Sequence, residues 1–307
     1  MKSIVFLIIV SLLYSCTTYN HKNPYPNMEI LRFDNYSAYE FRDSNSDKLI
    51  VIFDGSSYNS SLGFFNETKW MPVSMASQLV PLLRNNFTIL IPEKLSRKAG
   101  NNHFEDMDDR ANYTADKLIE CYNTILNSYL NVNNFSSIVL IGFSESVVLL
   151  PLIYENISKN ELIKGIISYA GGGLSLSESM EILSISNATP ENWKKAYMEM
   201  IELYHENNLQ YPDSLIDGFN GMSFRWYNSI IKIRPFNMYQ NINIPILFIH
   251  WKEDYIIPVE STKYLENNLT NKQFEYKYIN NMGHIPSNYS QTIYLRKVIT
   301  EWINNKD

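Results

Sequence analysis

The sequence predicts an α/β protein, in which a mostly parallel sheet is covered by helices on both faces. Three observations support this fold class. Short apolar segments rich in β-branched and aromatic residues recur along the chain, and stretches with helical spacing separate them. The run at 138–141 is apolar at every position, which is typical of a strand buried on both faces. Such an alternation indicates parallel strands joined by helices.

The predicted elements follow one another in a regular order. In the first half of the chain they are a strand at 49–53, a helix at 74–84, a strand at 87–91, a helix at 109–130 and a strand at 138–141. In the second half they are a helix at 145–157, strands at 165–169 and 246–250, a helix at 260–268, a strand at 274–279 and a closing helix at 291–304. Open sheets of this kind bind ligands at the carboxyl ends of their strands.

The stretch 174–240 interrupts this alternation. Helical patterns such as 191–205 dominate there, and aromatic residues are dense. We expect this stretch to form a helical cap inserted into the main domain, which spans 29–307. Aromatic side chains combine a large apolar area with polar edges, and we expect Trp226 and Tyr227 to contact a substrate. The alternative for each aromatic residue is that it packs the cap on the main domain.

The segment 136–146, which reads SSIVLIGFSES, holds the first candidate functional residue. A buried strand reaches Gly142, Ser144 follows two residues later, and a predicted helix begins directly after it. This order matches a nucleophile elbow, which exposes one serine hydroxyl above the sheet. Ser146 stands where the pattern usually has a second glycine, and we expect only a small side chain to fit there. An ordinary strand-to-helix turn with an exposed serine is the alternative.

A serine hydroxyl becomes a strong nucleophile only when a base takes its proton and a carboxylate orients that base. His284 is the candidate base, because it lies beside a glycine just past the last predicted strand. Asp254 is the candidate acid, because it lies in the loop after the strand at 246–250 and well before the histidine. Glu253 is the rival acid. A capping or solvated loop charge is the alternative reading of both carboxylates.

The order Ser144, Asp254, His284 is that of α/β-hydrolases. Over about residues 49–302 the chain resembles this family: GFSES resembles the elbow, HWKEDYIIP resembles the acid loop, and MGH is similar to the histidine loop. The segments SFRWYNSI and IPILFIHWKED are more loosely similar to the dienelactone-hydrolase and prolyl-oligopeptidase-like branches. The resemblance implies the α/β-hydrolase fold with an inserted helical cap, and a Ser-His-Asp triad.

The resemblance also implies an oxyanion hole made of two backbone N–H groups. One belongs to Glu145, and the other is assigned to Ser56, with Ser57 as the alternative. Asp54 and Gly55 stand where the family usually has His-Gly, and Trp251 replaces the usual glycine of the acid loop. The Glu145 side chain is expected to interact favourably with the dipole of the helix that it begins.

The N-terminal segment 1–15 has one lysine and an apolar stretch that is too short to span a bilayer, so it reads as an export signal. Its ending, LYSC, resembles a bacterial lipobox. That resemblance implies cleavage before Cys16, a lipid on its thiol, and a polar tether over 16–28. The protein is then extracytoplasmic and anchored to a bacterial membrane. A plain secreted protein is the alternative.

Composition excludes several classes of partner. The net charge is −6, and the chain has no basic stripe, no phosphate-binding loop and no cysteine–histidine metal spacing. Nucleic acid, metals and cofactors are therefore not expected, and Cys121 is interpreted as a small buried apolar residue. The predicted function is serine hydrolysis of a carboxylic ester or related acyl bond in a small molecule. A short-peptide serine peptidase and a catalytically inactive, surface-binding lipoprotein of the same fold are the alternatives.

Overall fold

The computed structural model describes residues 25, 27–56, 60–62, 64–66, 69–70, 74–84, 86–95, 113–206, 223–270 and 272–306. The predicted signal segment 1–15, the lipidation residue Cys16 and the alternative oxyanion residue Ser57 lie outside these ranges. The strands are β1 (Met28–Phe33), β2 (Tyr36–Phe41), β3 (Lys48–Phe53), β4 (Phe64–Asn66), β5 (Lys69–Trp70), β6 (Thr88–Pro92), β7 (Ser137–Phe143), β8 (Ile163–Tyr169), β9 (Ile246–Trp251) and β10 (Phe274–Ile279).

Helices connect and cover these strands. They are α1 (Met75–Leu83), α2 (Ala115–Val132), α3 (Glu145–Glu155), α4 (Leu176–Ile185), α5 (Glu191–Glu206), α6 (Phe224–Ile230), α7 (Phe236–Tyr239), α8 (Val259–Asn268) and α9 (Tyr289–Asn304), with a 3₁₀ turn at Asn160–Leu162. Within the part of the chain that the structure describes, none of the helices has the length and apolar character needed to cross a membrane.

Eight strands form one sheet in the order β1-β2-β6-β3-β7-β8-β9-β10. The six strands from β6 to β10 in this order run parallel to their neighbours, which confirms the predicted mostly parallel sheet. The sequence patterns did not predict the hairpin of β1 and β2. In this hairpin β1 pairs antiparallel with β2, and β2 pairs antiparallel with β6 at the edge of the parallel strands. β1 is an edge strand and half-exposed, so it lacks the apolar run by which the central strands were recognised.

The hydrophobic core lies on both faces of the sheet, as the apolar run at 138–141 predicts. Ile138 and Leu140 pack into the core on one face, whereas Val139 and Ile141 pack into the core on the other. Successive side chains of a strand point to opposite faces, so a strand covered by helices on both sides must be apolar at every position.

Capping side chains set several helix ends that periodicity alone had misplaced. Thr114 accepts a hydrogen bond from the backbone N–H of Lys117, so α2 begins at Ala115, while the predicted start at 109 lies outside the described residues. The Asn288 side chain accepts a hydrogen bond from the Gln291 N–H, so α9 begins at Tyr289, two residues earlier than predicted.

The helices α4 to α7 lie between β8 and β9, within the predicted cap at 174–240. We call the described residues of this stretch, 174–206 and 223–240, the helical insertion. The insertion contacts the main domain close to the predicted site, since the Tyr197 hydroxyl donates to the main-chain oxygen of Tyr255 at 2.7 Å. Tyr255 follows Asp254 directly, so the insertion lies against the predicted acid loop.

Candidate active site

The turn from β7 into α3 holds Ser144 in a strained backbone conformation, with φ 54° and ψ −113°. A non-glycine residue rarely adopts such angles, and it keeps them only where its surroundings enforce them. The Ser144 N–H donates to the main-chain oxygen of Tyr169 at 3.0 Å, and the Val147 N–H donates to the main-chain oxygen of Ser144 at 3.0 Å. These two bonds tie the turn to β8 and to the first turn of α3.

Gly142 permits α3 to pack closely on β7. A Cβ atom built at this position would lie 2.5 Å from Cδ1 of Leu150, far inside van der Waals contact. The glycine is therefore needed for the close approach of strand and helix. It allows the chain to reverse direction within two residues and leaves Ser144 at the carboxyl end of a central strand.

The structure brings the three predicted triad residues into one hydrogen-bonded chain. Nε2 of His284 lies 3.0 Å from Oγ of Ser144, and Nδ1 of the same ring lies 2.7 Å from Oδ2 of Asp254. An ionised carboxylate only accepts hydrogen bonds, so Nδ1 carries the proton toward Asp254 and Nε2 is left to accept from the serine hydroxyl. This is the arrangement in which a histidine acts as a base toward a serine.

The Asp254 carboxylate is buried, and its second oxygen is also occupied. Oδ1 accepts hydrogen bonds from the N–H groups of Ile256 and Ile257, at 2.8 and 3.0 Å. Burial favours the neutral carboxyl, but the charge and hydrogen bond of His284 and the Ile257 N–H outweigh it and hold the pKa of Asp254 below its ordinary value. Asp254 therefore remains ionised and can stabilise a positive charge on His284.

Glu253, the rival acid, points elsewhere. Its Oε2 accepts a hydrogen bond from the backbone N–H of Met282 at 3.2 Å. Glu253 thus joins the acid loop to the loop that carries His284, while the neighbouring Asp254 contacts the imidazole itself.

A second histidine, His250, is fully buried near the end of β9, just before the acid loop. Its Nδ1 lies 2.7 Å from Oγ1 of Thr262, and its Nε2 lies 3.0 Å from the oxygen of Ile257 and 3.8 Å from Oδ2 of Asp254. Burial outweighs the nearby Asp254 charge and lowers the pKa of His250. The imidazole therefore joins the end of β9 to α8 and to the loop behind Asp254.

Trp251 does not disrupt the acid loop, although it replaces a glycine of the family pattern. It is the last residue of β9, is fully buried, and donates its Nε1–H to the Tyr169 hydroxyl. The Tyr169 hydroxyl in turn lies 3.4 Å from the main-chain oxygen of His284. Trp251 is thus connected, through the Tyr169 hydroxyl, to the backbone of the loop that carries His284.

The predicted oxyanion residues belong to two segments that adjoin Ser144. Glu145 follows Ser144 directly as the first residue of α3, and Ser56 lies in the loop after β3. A Cβ atom built on Gly55 would lie 3.1 Å from Cβ of Ser144. The loop therefore passes directly beside the predicted nucleophile. The roles of the Ser56 and Glu145 N–H groups stay predictions.

The Glu145 side chain is buried, although the sequence interpretation treated it as a charge that interacts with a helix dipole. Burial raises its pKa from 4.5 to about 6, against the opposing effect of hydrogen bonds from the Trp226 indole and the Tyr113 hydroxyl. Trp226 belongs to the helical insertion, so this carboxyl connects the insertion to the residue after Ser144.

Trp226 and Tyr227 are packed inside the protein, at 2% and 1% exposure. Trp226 donates to Glu145, and the Tyr227 hydroxyl donates to the sulfur of Met180 at 3.4 Å. The contacts that the structure shows for both residues thus join the insertion to itself and to the main domain. Their contact with a substrate stays a prediction.

A buried ion pair lies behind the loop after β3. Nζ of Lys94 lies 3.2 Å from Oδ2 of Asp54, and the N–H of Met75 donates to Oδ1 of the same carboxylate at 3.1 Å. Burial raises the pKa of Asp54, against the opposing effects of Lys94 and Met75. The sequence places Asp54 and Gly55 in the loop expected to supply an oxyanion donor, but it does not predict the ion pair, because no local pattern connects residues 54 and 94.

Metal-ligating side chains and a free thiol are also present in the part of the chain that the structure describes. No group of three or more His, Cys, Asp or Glu side chains there is arranged to hold a metal ion. Cys121 is buried, its thiol contacts the Glu93 oxygen at 3.7 Å, and burial raises its pKa. This environment disfavours the reactive thiolate.

Comparison with known proteins identifies similar folds. No protein-family model and no curated protein sequence matches the chain. Est1E from Butyrivibrio proteoclasticus, solved with ferulic acid bound, is 14% identical and has a TM-score of 0.60 over 91% of this chain and 98% of that chain.

Two further solved structures have somewhat lower TM-scores over nearly the same share of the chain. MGS-M2, an α/β hydrolase enzyme from a Medee basin deep-sea metagenome library, is 17% identical, with a TM-score of 0.54 over 90% of this chain and 97% of that chain. The meta-cleavage product hydrolase from Pseudomonas fluorescens IP01 is 12% identical, with a TM-score of 0.55 over 91% and 98%. Together with the sheet order described above, these likenesses show that the chain has the α/β-hydrolase fold.

Proposed function

We propose that the protein is a serine hydrolase that cleaves a carboxylic ester or a related acyl bond in a small molecule. One observation carries this proposal: the continuous chain of hydrogen-bond contacts from Ser144 through His284 to Asp254. A hydroxyl, an imidazole and a buried ionised carboxylate in this order are the parts that nucleophilic acyl transfer requires.

In the proposed mechanism, Oγ of Ser144 attacks the substrate carbonyl while Nε2 of His284 takes its proton. The negative charge that develops on the carbonyl oxygen is stabilised by the N–H groups of Glu145 and Ser56. His284 then gives its proton to the leaving alcohol, which leaves an acyl group on Ser144. A water molecule, deprotonated by His284, then attacks the acyl carbon. The bond to Ser144 breaks, His284 returns the proton to Oγ, and the acid is released.

Asp254 holds the imidazole in the tautomer that this mechanism needs. Its ionised carboxylate accepts the Nδ1–H bond at 2.7 Å and stabilises the imidazolium that forms during each half of the reaction. Every step uses groups of this chain and water, so the proposal needs no metal or cofactor.

The nature of the solved neighbours supports an ester substrate over a peptide. Est1E was solved with ferulic acid bound, and the description of one other similar structure names LipS and LipT, two metagenome-derived lipolytic enzymes. The looser sequence similarity to the prolyl-oligopeptidase-like branch is the reason to test peptides as well.

A substrate screen tests this proposal. Purified protein is offered p-nitrophenyl esters of graded chain length and, in parallel, aminoacyl naphthylamides. We expect turnover of at least one ester class, with the naphthylamides cleaved far more slowly, and loss of turnover in the Ser144→Ala variant. Faster cleavage of the naphthylamides would favour a peptidase, and ester turnover that persists in Ser144→Ala would refute the mechanism.

We further propose that the protein is exported and anchored to a bacterial membrane by a lipid on Cys16. The lipobox-like ending of the segment 1–15 supports this proposal. When the full chain is expressed in a bacterium supplied with a radiolabelled fatty acid, it should become labelled, and the Cys16→Ala variant should not. Labelling that persists in the variant would contradict the anchor on Cys16.

A further inference from the structure

Ser146 makes a contact that a glycine at its position could not make. It lies in the first turn of α3, is 1% exposed, and donates its Oγ–H to the main-chain oxygen of Asp54. The nucleophile-elbow pattern usually has glycine here. A buried hydroxyl must find a hydrogen-bond partner, since leaving it unpaired costs about 1–3 kcal/mol. In this protein the partner is the loop after β3.

Asp54, whose main-chain oxygen accepts from Ser146, also makes two contacts through its carboxylate. The Asp54 carboxylate accepts from the N–H of Met75 at the start of α1, at 3.1 Å, and from Nζ of the buried Lys94, at 3.2 Å. Asp54 is therefore held by α3, by α1 and by the segment after β6. A loop with contacts to three elements has little freedom to move.

The loop passes so close to Ser144 that its position matters for chemistry. A Cβ atom on Gly55 would lie 2.8 Å from Cδ1 of Phe143 and 3.1 Å from Cβ of Ser144. The oxygen that Ser146 holds belongs to the peptide between Asp54 and Gly55. The next peptide carries the N–H of Ser56, which the proposed mechanism assigns to the oxyanion.

We propose that Ser146 is a positioning residue for the oxyanion hole. Through the Asp54 oxygen it fixes the loop after β3 so that the Ser56 N–H is directed at the substrate oxygen before the reaction begins. This inference rests on the proposed function. Donors that are fixed in advance stabilise a developing charge without reorganisation, so their loss lowers the rate of the chemical step more than it weakens substrate binding.

The test compares Ser146→Ala and Ser146→Gly with wild type. Steady-state kinetics are measured with the best ester of the screen, together with the Ki of a trifluoromethyl ketone, which forms a tetrahedral adduct with serine hydrolases. We expect kcat to fall about tenfold, with KM changed less than about twofold, because a donor is displaced and not removed. The Ki of the ketone should rise by the same factor as kcat/KM falls.

Ser77→Ala is the matched control. Ser77 is an equally buried serine whose hydroxyl donates to a main-chain oxygen, that of Ser74 at 2.7 Å, but within α1. The Ser77→Ala variant should lose stability as the Ser146 variants do, but its kcat and its Ki for the ketone should equal those of the wild type. Ser146→Gly restores the usual elbow residue, so it provides a folded variant if the alanine proves too unstable.

The possible results separate this inference from the function on which it rests. An active wild type whose Ser146 variants keep kcat and bind the ketone as tightly would overturn the positioning role and leave the serine-hydrolase proposal intact. A fall in kcat without a matching rise in Ki would also overturn it. A folded wild type that turns over no ester or amide in the screen would instead refute the proposed function.

Discussion

The Nδ1 atom of His284 lies 2.7 Å from Oδ2 of Asp254, although the two residues follow different strands and are thirty positions apart. The loops after β9 and β10 meet at the carboxyl edge of the sheet, and the parallel pairing of these strands brings them together. The same imidazole faces Ser144 with its other nitrogen. This relationship fixes which nitrogen carries the proton.

Replacing Asp254 with asparagine should lower kcat by about four orders of magnitude, the scale known for this change in another Ser-His-Asp enzyme. The amide would leave His284 without its charged partner and favour the wrong tautomer. Glu253→Gln is the control, because Glu253 contacts the Met282 N–H and not the imidazole. Kinetics with the same ester decide between them: a loss in Glu253→Gln that Asp254→Asn does not share would reassign the acid.

Replacing His284 with alanine should lower ester turnover by about three orders of magnitude or more while leaving the fold intact. The side chain lies at the edge of the sheet and packs on the Phe143 ring at 5.1 Å between ring centres, so its loss removes little of the core. Turnover and circular dichroism are measured on the same preparation. Unchanged turnover in folded protein would exclude His284 as the base.

Replacing Glu145 with glutamine should stabilise the protein at about pH 8. The pKa of Glu145 is raised from 4.5 to about 6 in the folded protein, so its carboxyl ionises less easily there than in the unfolded chain. Above about pH 6 the ionised carboxyl therefore lowers the free energy of unfolding, by at most about 2 kcal/mol. This destabilisation decreases as the pH falls through 6 and vanishes below about 4.5, where the carboxyl is protonated in both states.

Urea unfolding at about pH 8 and about pH 3.5 measures this effect. The stability gained from Glu145→Gln should be present at the higher pH and absent at the lower. Glu181→Gln, at an exposed position of α4, is the control and should change stability at neither pH. A loss of stability in Glu145→Gln at the higher pH would show that the ionised form is the one the fold favours.

Replacing Gly142 with alanine should destabilise the protein by about 1–3 kcal/mol, the usual cost of forcing an extra methyl into a packed core. The added Cβ would lie 2.5 Å from Cδ1 of Leu150, so β7 and α3 would have to separate at the elbow. Gly283→Ala is the control, because a Cβ there meets no atom within 4 Å. Equal thermal midpoints for the two variants would contradict the close strand–helix contact.

Local sequence patterns were sufficient to predict the parallel part of the sheet. The apolar run at 138–141 identified a strand buried on both faces, because alternate side chains must fill two cores. Periodicity was less informative at helix ends, where single capping side chains such as Thr114 and Asn288 decide the boundary. It also missed β1, whose edge position removes the need for an apolar pattern.

Polar contacts between distant segments could not be predicted in the same way. The pairing of Asp54 with Lys94 and the bond from Trp226 to Glu145 join residues that are 40 and 81 positions apart. No periodicity links such residues, since the folded arrangement alone makes them neighbours. The order of Ser144, Asp254 and His284 was recognisable because each follows a predicted strand, and carboxyl ends of parallel strands lie at one edge.

The central claim is that Ser144 is a nucleophile activated by His284. Treating the folded full chain with a fluorophosphonate and mapping the adduct by mass spectrometry tests it most directly. We expect a stoichiometric adduct on the peptide that contains Ser144 in wild type and no adduct in folded Ser144→Ala. A well-folded wild type that remains unlabelled, or an alanine variant labelled to the same extent, would contradict the claim.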